Sequence, residues 1–147
     1  IGPTNRNPVP DALTGPTPAQ EHECTVRIEE GEQCSYFVEV NVSGEGSKHG
    51  FTSETAMNAM EAFFDFPQLE LHGLMTMAPY SRQPESSRPY FQKLCEVKAA
   101  CEDKLGAPLP ELSMGMSGDY EIAIEEGATL IRLGTTLFGP RAAAGRD

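Results

Sequence analysis

The sequence has few basic residues and nowhere gathers them: Lys and Arg number 11 against 22 Asp and Glu, and the formal net charge is -11. An acidic chain without a Lys/Arg cluster repels nucleic acid and anionic membrane alike, which excludes both as partners. A small anionic ligand needs only a local site and stays open. No apolar run approaches the roughly 18 residues of a membrane span. The opening "IGPTNRNPVP" has none of the basic-then-apolar character of a secretory signal, so a soluble cytoplasmic protein is expected. The chain also lacks an initiating Met and begins at Ile1, from which a processed, trimmed or incomplete chain is expected.

Cysteine is sparse and forms no C-x-x-C pair; the thiols are Cys24, Cys34, Cys95 and Cys101. Reduced thiols are expected, because a disulfide framework belongs to small, cysteine-dense secreted chains. His22, Cys24 and Cys34 match no recurrent zinc spacing and lack a fourth ligand, so no metal site is expected.

Residues 1–20 hold five prolines and two glycines with no periodic apolar face, and residues 1–35 as a whole read as an irregular N-terminal arm. Regular patterning starts at Tyr36 and continues to residue 141, followed by a short tail over 142–147. "YFVEVNV" (36–42) is a β-rich run, and "TSETAMNAMEAFFDF" (52–66) places Met57, Met60 and Phe64 at helical spacing before Pro67. "LELHGLMTM" (69–77) is a second strand. "SSRPYFQKLCEVKAACEDKLG" then repeats the helix, with Leu94, Val97, Cys101 and Leu105 on one face and Gly106 as its stop. "ELSM" with residues 118–126, and "TLIRL" with a segment from Thr135, make two further units.

Four βα units in succession predict an α/β fold with a parallel sheet, either an open doubly wound sheet or part of a (β/α)8 TIM-type barrel, of which four units are half. The strands are expected to be apolar on both faces. Both architectures bind ligands at the carboxyl ends of the strands.

Two such strand ends carry turns suited to an anion. In "SMGMSGD", Gly115 admits a close backbone approach, Ser117 is placed to cap the next helix, and the N–H groups of residues 118–120 are expected to point outward. In "RLGTT", Gly134 and Thr135 repeat the arrangement, and barrels often build a phosphate site from two neighbouring loops of this kind. The alternative is that Gly, Ser and Thr simply make tight turns. Arg132 lies inside the apolar strand "TLIRLG" and needs partners. It is read either as one half of a buried ion pair or as the group that meets the far end of a phosphorylated ligand.

"VEVNVSGEGSKHGF" (38–51), "LHGLMTMAPY" (71–80), "RPYFQKL" (88–94) and "LSMGMSGDYEIAIEEGATLIRLGTTLFGPR" (112–141) resemble, in family order, the second half of the pyridoxal phosphate homeostasis protein family. These are single-domain relatives of the alanine racemase barrel. The resemblance implies pyridoxal 5'-phosphate as cofactor, with its phosphate on Gly115, Met116, Ser117, Gly134 and Thr135, its pyridine nitrogen facing Arg132, and Asn41 lining the site. It implies a carrier of vitamin B6, not a catalyst.

The family's N-terminal half brings a strand lysine that forms a Schiff base, then a "GEN" turn and a "HFIG-LQ-NK" strand end. The first two have no counterpart here, "IGPTNRN" reads as a shortened relic of the third, and residues 8–34 depart from the family altogether. Of the four lysines, Lys93, Lys98 and Lys104 fall on the second helix and Lys48 in a polar loop, so none is expected on a strand. The expectation is a truncated pyridoxal phosphate binder whose hold on the cofactor is non-covalent or impaired, and whose uncovered sheet edges favour self-association. Two alternatives stand beside it. One is a fragment of an amino-acid racemase of the same barrel type, for which the chain after Gly139 leaves no room for the added domain. The other is an unrelated phosphate-binding α/β domain.

Overall fold

A computed structural model of the chain describes residues 33–46, 49–63 and 66–140. Residues 1–32 of the N-terminal arm, with His22 and Cys24, the 142–147 tail, Lys48 and Phe64 lie outside the described residues, whereas Cys34 and Ser35, expected in the irregular arm, already belong to the first strand. The elements are β1 (Cys34–Glu39), α1 (Ser53–Phe63), β2 (Leu69–Met75), a 3-10 turn (Pro84–Ser87) leading into α2 (Arg88–Leu105), β3 (Glu111–Met116), α3 (Tyr120–Glu125), β4 (Leu130–Arg132) and α4 (Thr135–Phe138). All the strands pair in parallel, in the order β1-β2-β3-β4. Spatial order thus follows chain order without the reversal that defines a doubly wound sheet, and the four units form an arc of a (β/α) barrel.

Local chemistry accounts for the element ends. Pro89 opens α2, where the missing N–H costs nothing, and Gly106 ends it at φ 63° with its N–H donating to the Glu102 carbonyl. Glu102 itself accepts from the Leu109 N–H at 2.7 Å and from Lys98 at 2.9 Å, carrying the chain from α2 into β3. Those two bonds hold its carboxyl below the usual range.

The core lies between the sheet and its helices. Val38, Leu74, Leu112 and Met114 from the strands meet Ala56 and Met60 of α1 and Phe91, Leu94, Val97 and Cys101 of α2. Met57 and Leu105 pack against this cluster from its margin. Each large side chain buried here contributes roughly 1.5–3 kcal/mol. Burial pushes the Cys95 and Cys101 thiols up, so both are protonated at neutral pH, and Cys34, Cys95 and Cys101 are free thiols.

The strands are not apolar on both faces as expected. Ser35, Glu39, Glu70 and His72 alternate with Tyr36, Val38, Leu71 and Leu74, and Ser35 Oγ lies 3.2 Å from His72 Nε2. Helices cover one face of the sheet, while the other is reached by polar side chains and left partly open. At the centre of the sheet the β2 and β3 backbones approach so closely that a Cβ at Gly73 would stand 1.9 Å from the Glu111 carbonyl oxygen, its partner in register.

Candidate functional site

The two glycine turns end β3 and β4, adjacent parallel strands, so both open on the carboxyl edge of the sheet. At the first, Gly115 has φ 97°, and a Cβ there would meet the Ala123 Cβ at 2.6 Å and the Tyr120 Cα at 3.1 Å. The absent side chain therefore lets α3 pack onto β3. The next turn is closed by Asp119: its Oδ1 accepts from the Met116 N–H at 2.7 Å, its own N–H donates to the Met116 carbonyl at 3.1 Å, and its Oδ2 accepts from the buried Ser87 hydroxyl at 2.7 Å.

Two expectations about this turn are corrected by that geometry. Ser117 does not cap α3, and the Asp119 N–H does not point outward, because the Asp119 carboxylate and the Met116 carbonyl close the turn. The Ser117 hydroxyl instead reaches across to the second turn, where Oγ accepts from the Gly134 N–H and the Thr136 N–H, both at 3.2 Å. Thr135 stands between these two donors as the first residue of α4, and the Gly134 carbonyl accepts from Leu137 and Phe138 to close that short helix. Ser117, Gly134, Thr135 and Thr136 are thus brought together across 17 to 19 residues of chain.

Arg132 precedes the second turn. Its Nη2 donates to the Thr76 carbonyl at 2.8 Å and its Nη1 to the Ser113 hydroxyl at 3.2 Å, so the side chain crosses β3 to the end of β2. Thr76 is buried and donates onward to the Val40 carbonyl at 2.7 Å. The ion-pair alternative is not what the structure contains: among the described residues no carboxylate is paired with this guanidinium. Glu39 and Asp119 act on it only at longer range, partly opposing the burial that lowers its proton affinity. Its Nε is buried and has no hydrogen-bond partner.

Asn41 follows β1, and its carboxamide shapes its own loop: Nδ2 donates to the Glu45 carbonyl at 2.8 Å, and Oδ1 accepts from Ser43 Oγ at 3.0 Å and from the Gly44 N–H at 3.1 Å. Such short-range bonds are the ordinary work of Asn in a turn. Met116 is 42% exposed at the sheet edge. The helix lysines lie away from this edge: Lys93 pairs with Glu96, Lys98 with Glu102 and Lys104 with Glu61. A shallow depression of about 110 Å³ on the flank of the first turn is lined by Pro84, Ser117, Gly118, Asp119, Tyr120 and Glu121. That is well below the roughly 300–1,000 Å³ of ordinary ligand pockets, as suits one wall of a site.

Sequence reasoning missed Asp119, Ser87, Thr76, Ser113 and Thr136. Thr76 and Ser113 carried the same signal as Arg132, a polar residue inside an apolar strand. Asp119 had only its position three residues after Met116 to mark it.

Consecutive parallel βα units in chain order, with glycine turns and a part-buried guanidinium at the carboxyl edge of the sheet, define a barrel-type α/β protein. The chain belongs to the family described as "Alanine racemase, N-terminal domain", which matches residues 19–142, starting upstream of the described residues. It is 48% identical over 105 residues to the pyridoxal phosphate homeostasis protein of Aquifex aeolicus, covering 71% of this chain and 46% of that protein. It is 41% identical over 114 residues to the mouse protein of the same name, covering 75% and 42%. Among solved structures it is similar to PipY of Synechococcus elongatus without PLP, with a TM-score of 0.67 and 30% identity over 74% of this chain and 51% of that one. PipY with PLP bound gives 0.66 and 29%, over 74% and 50%. An alanine racemase of Clostridium difficile, at a TM-score of 0.56 and 18% identity over 78% of this chain and 30% of that one, shares the fold. The chain spans about half the length of the curated relatives it matches.

Proposed function

We propose that this chain forms the phosphate and ring-nitrogen wall of a pyridoxal 5'-phosphate site, in a cytoplasmic protein that holds and delivers the cofactor without catalysing a reaction of its own. The observation that carries this reading is the meeting of two turns from adjacent strand ends, with the Gly134 and Thr136 N–H groups converging on one oxygen, that of Ser117. Converging backbone donors suit a phosphate, whose oxygens accept several hydrogen bonds at once. The relatives named for pyridoxal phosphate homeostasis and the PLP-bound PipY structure support the choice of ligand.

The residues present fit that group. Gly115, Met116, Ser117, Gly134 and Thr135 would hold its phosphate, Arg132 with its unpartnered buried Nε would face the pyridine nitrogen, and Asn41 would line the site. When bound, pyridoxal phosphate supplies an aldehyde and an electron-accepting pyridine ring. Arg132 sets the limit on that chemistry: a guanidinium stays protonated and only donates, so a nitrogen facing it stays an acceptor without its own proton. A ring held so is a poor electron sink, which suits a carrier. Among the described residues no lysine stands on a strand, so this chain would hold the cofactor non-covalently.

In isotope-labelled protein, pyridoxal phosphate is expected to shift the amides of residues 115–118 and 132–136. Borohydride reduction followed by peptide mapping is expected to find no single lysine labelled stoichiometrically. Amide shifts confined to other loops would overturn the reading, and one fully labelled lysine would overturn its non-covalent part.

We also propose that the chain self-associates through its open sheet edges. β1 and β4 each have one neighbour within the described sheet, and Leu130, Ile124, Leu137 and Phe138 near the β4 edge are 44%, 52%, 66% and 86% exposed. Size-exclusion chromatography with light scattering is expected to show species above the monomer mass at micromolar concentration. A single monomer peak there counts against the proposal.

A further inference from the structure

The bonds around the first turn form one continuous strut. It starts at the hydroxyl of Ser87, buried at the start of α2, passes through both oxygens of the Asp119 carboxylate to the Met116 N–H, and continues through the adjoining Ser117 hydroxyl to the Gly134 and Thr136 amides. We propose that Asp119 is a positioning residue of the anion site, its carboxylate fixing the Met116–Ser117 turn against Ser87 so that the Ser117 hydroxyl meets the amides of the second turn. The proposal rests on the reading of this site as a phosphate site.

The placement has a physical cost that makes a purely incidental role a poor account of it. A carboxylate beside an anion site repels the anion, so its net effect depends on whether ordering outweighs charge. Here both Asp119 oxygens are engaged at 2.7 Å, the length of a charge-assisted bond, and one partner is a backbone N–H inside the turn itself. α3 is braced from its other end as well, where Arg88 holds Glu125 and Glu126, each at 2.6 Å, and Glu85 at 2.8 Å. With α3 anchored there, loss of the Asp119 bonds would loosen the turn without releasing the helix.

The test uses the full chain with Asp119→Ala, Asp119→Asn and Ser87→Ala, and reads two quantities. In ligand-free protein, Asp119→Ala is expected to speed hydrogen exchange at the Met116, Gly134 and Thr136 amides by about tenfold, and to leave Leu94 and Val97 in α2 unchanged. Inorganic phosphate affinity is expected to fall about tenfold in Asp119→Ala, as for loss of one charge-assisted hydrogen bond, and less in Ser87→Ala. Asp119→Asn keeps an oxygen for the Met116 N–H and removes the charge, so it is expected to bind phosphate at least as well as the unchanged protein. Unchanged exchange at Gly134 and Thr136 in Asp119→Ala overturns the proposal. So does faster exchange with phosphate affinity unchanged or raised, which would make the strut real and irrelevant to binding. If Asp119→Ala does not fold, Ser87→Ala carries the same comparison with a smaller effect. An unmodified protein whose amides ignore phosphate would overturn the phosphate reading itself, and the exchange data alone would then decide whether Asp119 orders the turn.

Discussion

Gly73→Ala is expected to cost the fold about 4 kcal/mol or more, most of the stability of a domain at the low end of the ordinary range. The reason lies in the register of β2 and β3, which pairs Gly73 with Glu111. The added Cβ would stand 1.9 Å from the Glu111 carbonyl oxygen and 2.6 Å from its carbon, both backbone atoms that no rotamer change can move. Relief requires the start of β3 to shift, and with it Leu112 and Met114 in the core. Overpacking a core with flexible partners costs typically 1–3 kcal/mol, and a rigid backbone contact lies above that range. Urea unfolding followed by circular dichroism measures the effect. A loss under about 1 kcal/mol would mean that the strands do not approach as closely as described.

The contrast between Gly73 and Gly115 shows what the chain makes legible and what it does not. The alternation of strand and helix was readable because each unit has its own punctuation: Pro67 after α1, Gly106 at φ 63° after α2, and the small-residue turns after β3 and β4. These signals are local, and so is helical periodicity, which picked out Leu94, Val97 and Cys101 as buried. The reason for each glycine was not local. Gly115 is needed because Ala123 packs on it from eight residues away, and Gly73 because Glu111 faces it across the sheet. The partners of the site are set at the same long range. Ser117 meets Gly134 17 residues on, Ser87 meets Asp119 across 32, and Arg132 reaches Thr76 across 56. A sequence pattern marks which residues are unusual for their surroundings, as Arg132 was; which atoms they meet follows only from the order of the strands.

Arg132→Ala is expected to lower the affinity for pyridoxal phosphate by about ten- to a hundredfold while changing the affinity for inorganic phosphate by less than about threefold. The split follows from the position of the side chain. Its guanidinium is bonded to the Thr76 carbonyl just after β2 and to the Ser113 hydroxyl within β3, whereas the proposed phosphate donors belong to the Ser117 and Gly134 turns. Its Nε, buried and unpartnered, is the atom left to donate to a ring nitrogen. Stability separates this role from a structural one. Breaking a buried ion pair costs about 3–5 kcal/mol, but here the guanidinium meets only neutral acceptors, and its removal is expected to cost about 1–2 kcal/mol. Lysine should not substitute, since a compact ammonium cannot present Nη1, Nη2 and Nε to three separate acceptors. Paired titrations with the cofactor and with phosphate, read beside the melting curve, distinguish the outcomes. Equal weakening of both ligands would place Arg132 at the phosphate, and a stability loss near 4 kcal/mol with both affinities retained would make it a structural residue of the sheet.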